Sequence, residues 1–197
     1  MRILAVLVVL VPLCTSSLRA QEPDSVVPAR RDVALTADCS RVRTRPPEQA
    51  EEGIRVCREA VEAANQLPPA SVRERSAAHG YLGDALLLAR QWREAIDEYD
   101  LALRVDPTSR GVHAGELMGL TAVAYLNLGD LAEADRTAGS AIASVEASMS
   151  ANPAERRIHV MTLRTLFSVQ TRVKQLQGDV AGVARLNEKA AALDTSK

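Results

Sequence analysis

The sequence contains few aromatic residues and few β-strand patterns. Aromatic side chains make up 3% of its 197 residues. Segments that alternate between polar and apolar residues are rare, and the β-branched residues stand singly among alanine and leucine. The abundant residues, which include Ala, Leu, Glu and Arg, are good helix formers, so the composition predicts an all-α protein.

Motifs of known catalytic and ligand-binding sites are also missing. The sequence has no Gly-rich phosphate loop after a strand, no G-x-S-x-G and no H-E-x-x-H. Its three histidines, His79, His113 and His159, lie in separate segments without a second His or Cys three or four residues away. We expect these histidines to be partly exposed, and we expect a protein that is not an enzyme and has no cofactor or metal site. An enzyme of unrecognised type, with His79 or His113 beside acids in a deep pocket, is the alternative.

Positive charge is not concentrated in any part of the chain. The 24 basic residues are balanced by 25 acidic ones, whereas nucleic-acid-binding proteins cluster Lys and Arg on one surface. The richest basic run, from Arg41 to Arg45, is short and ends at Pro46, as expected of a solvated connection. We therefore expect no nucleic-acid partner.

The longest uninterrupted hydrophobic run is Ile3–Leu13, whose 11 residues are fewer than the ~20 that a membrane-spanning helix needs. Arg2 precedes this run, and small polar residues and then Leu18-Arg19-Ala20 follow it. Residues 1–20 are therefore predicted to form a signal peptide that is cleaved after Ala20. A buried N-terminal helix is one alternative, and lipidation at Cys14 is another, although Leu13 is large for a lipidation motif. We expect a periplasmic or secreted protein without a membrane span after cleavage.

Cysteine is scarce, and its number supports export. Removal of the signal peptide takes Cys14 away and leaves Cys39 and Cys57 as an even pair. In an oxidising compartment such a pair predicts one disulfide. Closing this loop should stabilise the fold by about 3 kcal/mol. Two buried free thiols are the alternative.

Prolines and Gly-Asp pairs divide the chain into about seven segments with helical periodicity. Pro46-Pro47, Pro68-Pro69, Pro107 and Pro153 stand at segment edges, where proline starts a helix or follows its end. Gly129-Asp130 and Gly178-Asp179 separate further segments. The connections at 104–114 and 147–157 are longer than the repeat described next requires. Short connections elsewhere predict antiparallel helix pairs.

Small residues recur at a fixed spacing in two of these pairs. LGDALLLARQWREAIDEYDLAL, from Leu82, aligns with TAVAYLNLGDLAEADRTAGSAI at an offset of 39 residues. Gly and Ala at matched positions allow two helices to cross closely. We expect Gly83 to lie under the second helix of its pair, and Trp92 and Tyr99 to fill the grooves between neighbouring repeats. In the upstream segment EEGIRVCREAV, Cys57 takes the position of Tyr99 and should therefore face inward.

These features resemble the tetratricopeptide repeat (TPR) family. Residues 76–109 carry its pattern most fully, residues 115–148 carry part of it, and residues 164–197 retain the turn and part of the second helix. The positions that match in the first of these are Leu82, Gly83, Leu86, Ala95, Tyr99, Ala102 and Pro107. The resemblance implies a right-handed α-solenoid of antiparallel helix pairs over residues 46–197.

The N-terminal segment, residues 21–45, is expected to act as a cap on this domain. Residues 32–43 are too short to pair fully with the helical segment 47–67. A Cys39–Cys57 disulfide would hold them over the open end, because a terminal repeat has no neighbour to cover its apolar face.

The resemblance implies a binding surface on the concave face, formed by the first helix of each pair. The partner would be a protein or peptide segment, and the protein would act as an adaptor or assembly factor in the cell envelope. Asp84 and Glu116 on this face are acidic, which argues against capture of a partner's C-terminal carboxylate. One alternative is that the residues of the concave face pack against a C-terminal helix that folds back. Another is that the protein is a structural module, which binds a larger envelope complex through its convex face. The candidate partner-binding residues are Asp84, Leu87, Leu88, Glu116, Val123, Asn127 and Arg172.

Overall fold

The structure is a computed structural model that describes residues 26–44, 46–69 and 71–195. The predicted signal peptide, residues 1–20, lies outside the described residues. Within them the chain forms α-helices, short 3-10 turns and no strand, as the composition predicts. None of the described helices has both the length and the apolar character that crossing a membrane requires. The helices are α1 (Val26–Ser40), α2 (Ala50–Asn65), α3 (Val72–Leu88), α4 (Trp92–Val105), α5 (Val112–Leu128), α6 (Leu131–Ala151), α7 (Arg156–Gln177) and α8 (Val180–Thr195).

Each helix packs against its neighbours in the chain, so the helices form the consecutive pairs α1–α2, α3–α4, α5–α6 and α7–α8. The first helices of successive pairs also touch one another, α1 with α3, α3 with α5 and α5 with α7. This arrangement confirms the predicted all-α array of helix pairs. The extra residues around 147–157 mainly lengthen α6 and α7, which have 21 and 22 residues.

Small residues bring α3 and α4 together as the repeat spacing predicts. A Cβ atom at Gly83 would lie 2.6 Å from Cε1 of Tyr99, so the ring occupies the space that a side chain would need. Ala95 and Ala102 are fully buried on α4. Tyr99 therefore fills the interior of its own pair, rather than only the groove between repeats that the sequence suggested. Trp92 is partly exposed.

The two Gly-Asp pairs end one helix and begin the next. Gly129 and Gly178 adopt left-handed backbone conformations (φ 80° and 75°) at the ends of α5 and α7, where glycine has no steric penalty. Asp130 then accepts a hydrogen bond from the backbone N–H of Glu133, which caps α6. Asp179 accepts one from the N–H of Gly182 in α8 in the same way.

The first helix pair differs from the prediction. The sequence suggested that residues 32–43 were too short to pair fully, but α1 has 15 residues and packs against α2. The expected incomplete pair is therefore wrong. The disulfide between Cys39 and Cys57 is present, and both residues are fully buried. It joins the end of α1 to α2 and lies beside Val42, which packs against Gly53.

Candidate functional site

An apolar groove lies between α5 and α7, the first helices of the third and fourth pairs. Its volume is about 360 Å³. Aliphatic residues and threonines form most of its wall, and a charged residue of each sign lies among them. The lining residues are Arg43, Glu116, Gly119, Leu120, Val123, Ile158, Met161, Thr162, Thr165, Leu166 and Val169.

The floor of the groove depends on a glycine. A Cβ atom at Gly119 would lie 2.5 Å from Cδ2 of Leu166, so only the absence of a side chain on α5 leaves room for this leucine of α7. Leu166 is buried. The contact holds α5 and α7 close together at the floor, and the groove lies above it.

The α7 wall exposes two large apolar side chains, although such residues are usually covered when they lie together. Ile158 is 53% exposed and Met161 is 61% exposed. On the α5 wall, Leu120 and Val123 are partly buried. Methionine adapts its shape to irregular surfaces, so this wall can fit side chains of different shapes.

Arg43 and Glu116 are the charged residues of the groove. Arg43 donates from Nε to Oδ2 of Asp84 (2.6 Å) and from Nη2 to Oδ1 (3.1 Å). Burial alone would lower the pKa of Arg43, but Asp84, with smaller contributions from Tyr99 and Glu116, raises it above its ordinary value. Glu116 is exposed.

Asp84 was expected to line the binding surface, but the structure places it in the interior. It is 5% exposed, and its carboxylate accepts hydrogen bonds from Arg43 and from the hydroxyl of Tyr99 at 2.9 Å. Burial raises the pKa of Asp84, while the bonds from Arg43 and Tyr99 oppose part of that rise. Asp84 therefore joins the 3-10 turn Arg41–Thr44 to α3 and α4.

The other predicted partner-binding residues are dispersed. Glu116 and Val123 line the groove, whereas Leu87, Leu88, Asn127 and Arg172 do not. Leu87 packs against the core formed by the first two pairs, and Asn127 donates a hydrogen bond to the carbonyl of Val123. Arg172 lines a separate cleft between α7 and α8. Roles for these four residues in binding remain predictions.

The histidines do not converge on one site. Nδ1 of His79 lies 2.7 Å from Oε2 of Glu98 on the adjacent helix. His159 is fully buried, with the carbonyl of Glu155 and the hydroxyl of Ser148 at its two ring nitrogens. The expectation that all three are partly exposed is therefore wrong for His79 and His159, which are buried, whereas His113 is exposed. The described part of the chain holds no cluster of three or more His, Cys, Asp or Glu side chains suited to a metal.

Sequence reasoning missed Arg43, Ile158 and Met161. The spacing of Ile158, Met161 and Thr165 places them on one face of a helix, which is a visible signal. That signal does not show whether another element covers the face. The position of Arg43 follows from its bond to Asp84, 41 residues later in the chain, which no local pattern indicates.

Comparison with known proteins gives structural neighbours but no sequence relatives. No protein-family model matches the chain, and no curated protein matches it. One similar structure is a Podosopora anserina protein with nearly identical TPR-like repeats, assigned as a kinesin light chain. It is 18% identical, with a TM-score of 0.48, over 85% of this chain and 96% of the other. BtubC (BKLC) from P. vanneervenii is 12% identical, with a TM-score of 0.40, over 86% and 91%.

Proposed function

We propose that the protein is a non-catalytic interaction module, which holds a segment of a partner protein in the groove between α5 and α7. The observation that carries the proposal is the exposure of Ile158 and Met161 on one wall of an open, apolar groove. Covering these two side chains would remove apolar surface from water, which favours binding by on the order of 1 kcal/mol each.

The shape of the groove favours a short segment as its ligand. Two adjacent helices form the walls, so the groove suits an amphipathic helix or an extended segment that inserts a few apolar side chains. Glu116 and Val123, predicted from the sequence, contribute to this surface together with the α7 residues. The protein would then act as an adaptor or assembly factor.

An exported location is part of the proposal. The Cys39–Cys57 disulfide supports it, because disulfides form and persist in oxidising compartments. A periplasmic or secreted adaptor would meet its partner in the cell envelope or outside the cell.

Selection from a library of displayed peptides tests the binding function. The wild-type protein is compared with the double variant Ile158→Ser/Met161→Ser, which makes the groove wall polar. The matched control is Leu176→Ser/Val180→Ser, because these side chains are 49% and 80% exposed and lie outside the groove. Wild type and control should enrich the same peptides, and the groove variant should lose them. Equal enrichment by all three proteins would refute the proposed site, and loss in the control alone would favour a different apolar surface.

A further inference from the structure

The charges around the groove indicate the chemistry of its partner, an inference that rests on the function proposed above. We infer that the partner segment carries a lysine or arginine beside its apolar side chains, and that Glu116 pairs with this cation. The inference follows from the different states of the two charged residues in the groove.

Glu116 is the acidic residue that lines the groove. It is exposed on α5 and lines the groove. Its carboxylate makes no hydrogen bond or ion pair with any described residue. Its attraction to Arg43 is the smallest of the contributions to the raised pKa of that residue. The carboxylate is therefore available to a cation from outside.

Arg43 is already engaged by the protein itself. Two of its nitrogens, Nε and Nη2, bind the two carboxylate oxygens of Asp84. The charge of Arg43 is thus balanced mainly by Asp84, whereas Glu116 forms no ion pair within the described residues. An acidic partner that recruited Arg43 would weaken the support of the buried Asp84 and would also meet Glu116, so an anionic ligand is disfavoured.

A long cationic side chain also fits the apolar surroundings of Glu116. Lysine and arginine can lay their methylene stems along apolar surface while the charged end remains in water. Leu120 and Val123, one turn and two turns beyond Glu116 on α5, provide such a surface among the lining residues. The preferred ligand is therefore an amphipathic segment with mixed apolar and basic character.

The displayed library provides the first test. Peptides that require Ile158 and Met161 for enrichment should be rich in Lys and Arg compared with the starting library. A Glu116→Lys variant should lose that bias, whereas Glu188→Lys, which changes an exposed acid on α8 outside the groove, should keep it. Groove-dependent peptides without a basic bias would overturn the inference and leave the proposed function intact. A library without groove-dependent peptides would overturn both.

Fluorescence anisotropy with two synthetic peptides provides the second test. Both carry the same apolar face taken from an enriched peptide, and they differ only in Lys or Glu at the flanking positions. The Lys peptide should bind wild type more tightly, and Glu116→Gln should weaken it by up to about fivefold, an effect that salt reduces. Equal affinities, or tighter binding of the Glu peptide, would refute pairing with Glu116.

Discussion

The aromatic ring of Tyr99 lies directly over Gly83. A Cβ at position 83 would come within 2.6 Å of Cε1 and 2.8 Å of Cδ1 of the ring. The hydroxyl of the same tyrosine donates to Asp84, the residue after the glycine. The ring of Tyr99 thus packs on Gly83 and its hydroxyl binds Asp84, the next residue of α3. These contacts set the separation of α3 and α4.

We expect Gly83→Ala to destabilise the protein. Alanine is the better helix former by about 1 kcal/mol, but its Cβ would lie 2.6 Å from a ring atom of the fully buried Tyr99. Overpacking of this kind costs about 1–3 kcal/mol, so the net effect should be a loss, measured as the free energy of unfolding in urea. Gly139→Ala on α6 is the control, because the nearest atom to its Cβ would be 3.5 Å away. A Gly83→Ala variant as stable as that control would contradict the steric explanation.

Loss of the disulfide should lower the thermal stability. Cys39 and Cys57 are 18 residues apart, and a crosslink of this length is worth about 3 kcal/mol. The single variants Cys39→Ser and Cys57→Ser, and wild type under reducing conditions, should each melt several degrees lower. Calorimetry measures the effect, and reductant should not change the melting of the double serine variant. Identical melting of oxidised and reduced wild type would show that the crosslink does not support the first pair.

Features with local causes were predictable from the sequence. Gly83 was identified because its spacing recurs, and Gly129 and Gly178 because glycine before aspartate is typical of a helix end followed by a cap. The burial of Cys57 followed from its alignment with Tyr99. Each of these depends on residues within one helix pair, or on the repeat itself.

Features that join distant segments were not predictable. Asp84 was assigned to an exposed surface because its role depends on Arg43, which reaches it from before the second helix. His159 was expected to be partly exposed, but the longer α6 brings Ser148 to its ring. The α5–α7 groove was only partly predicted, since periodicity marks the apolar face of α7 without showing that Ile158 and Met161 remain exposed among the described residues.

Removal of Arg43 should make stability more sensitive to pH, through Asp84. The folded pKa of Asp84 is raised by burial, so its contribution to stability is fully present below the unfolded pKa and is lost as the pH rises through the folded pKa. Arg43 lowers the folded pKa of Asp84. Arg43→Met should therefore raise this pKa further and extend the loss of stability to higher pH. We expect the variant to lose about 1–3 kcal/mol at about pH 7, and less at about pH 4, because the raised pKa of Asp84 favours its neutral form in the fold as the pH falls.

Urea unfolding of the Arg43→Met variant at the two pH values measures this difference. Arg41→Met is the matched control, because Arg41 lies in the same 3-10 turn and pairs only with the exposed Asp38 among the described residues. It should cost less than about 1 kcal/mol at either pH. Adding Asp84→Asn to Arg43→Met should remove the extra pH dependence, since the amide does not titrate. An equal loss for Arg43→Met at both pH values would mean that Arg43 stabilises the fold by packing rather than by neutralising Asp84.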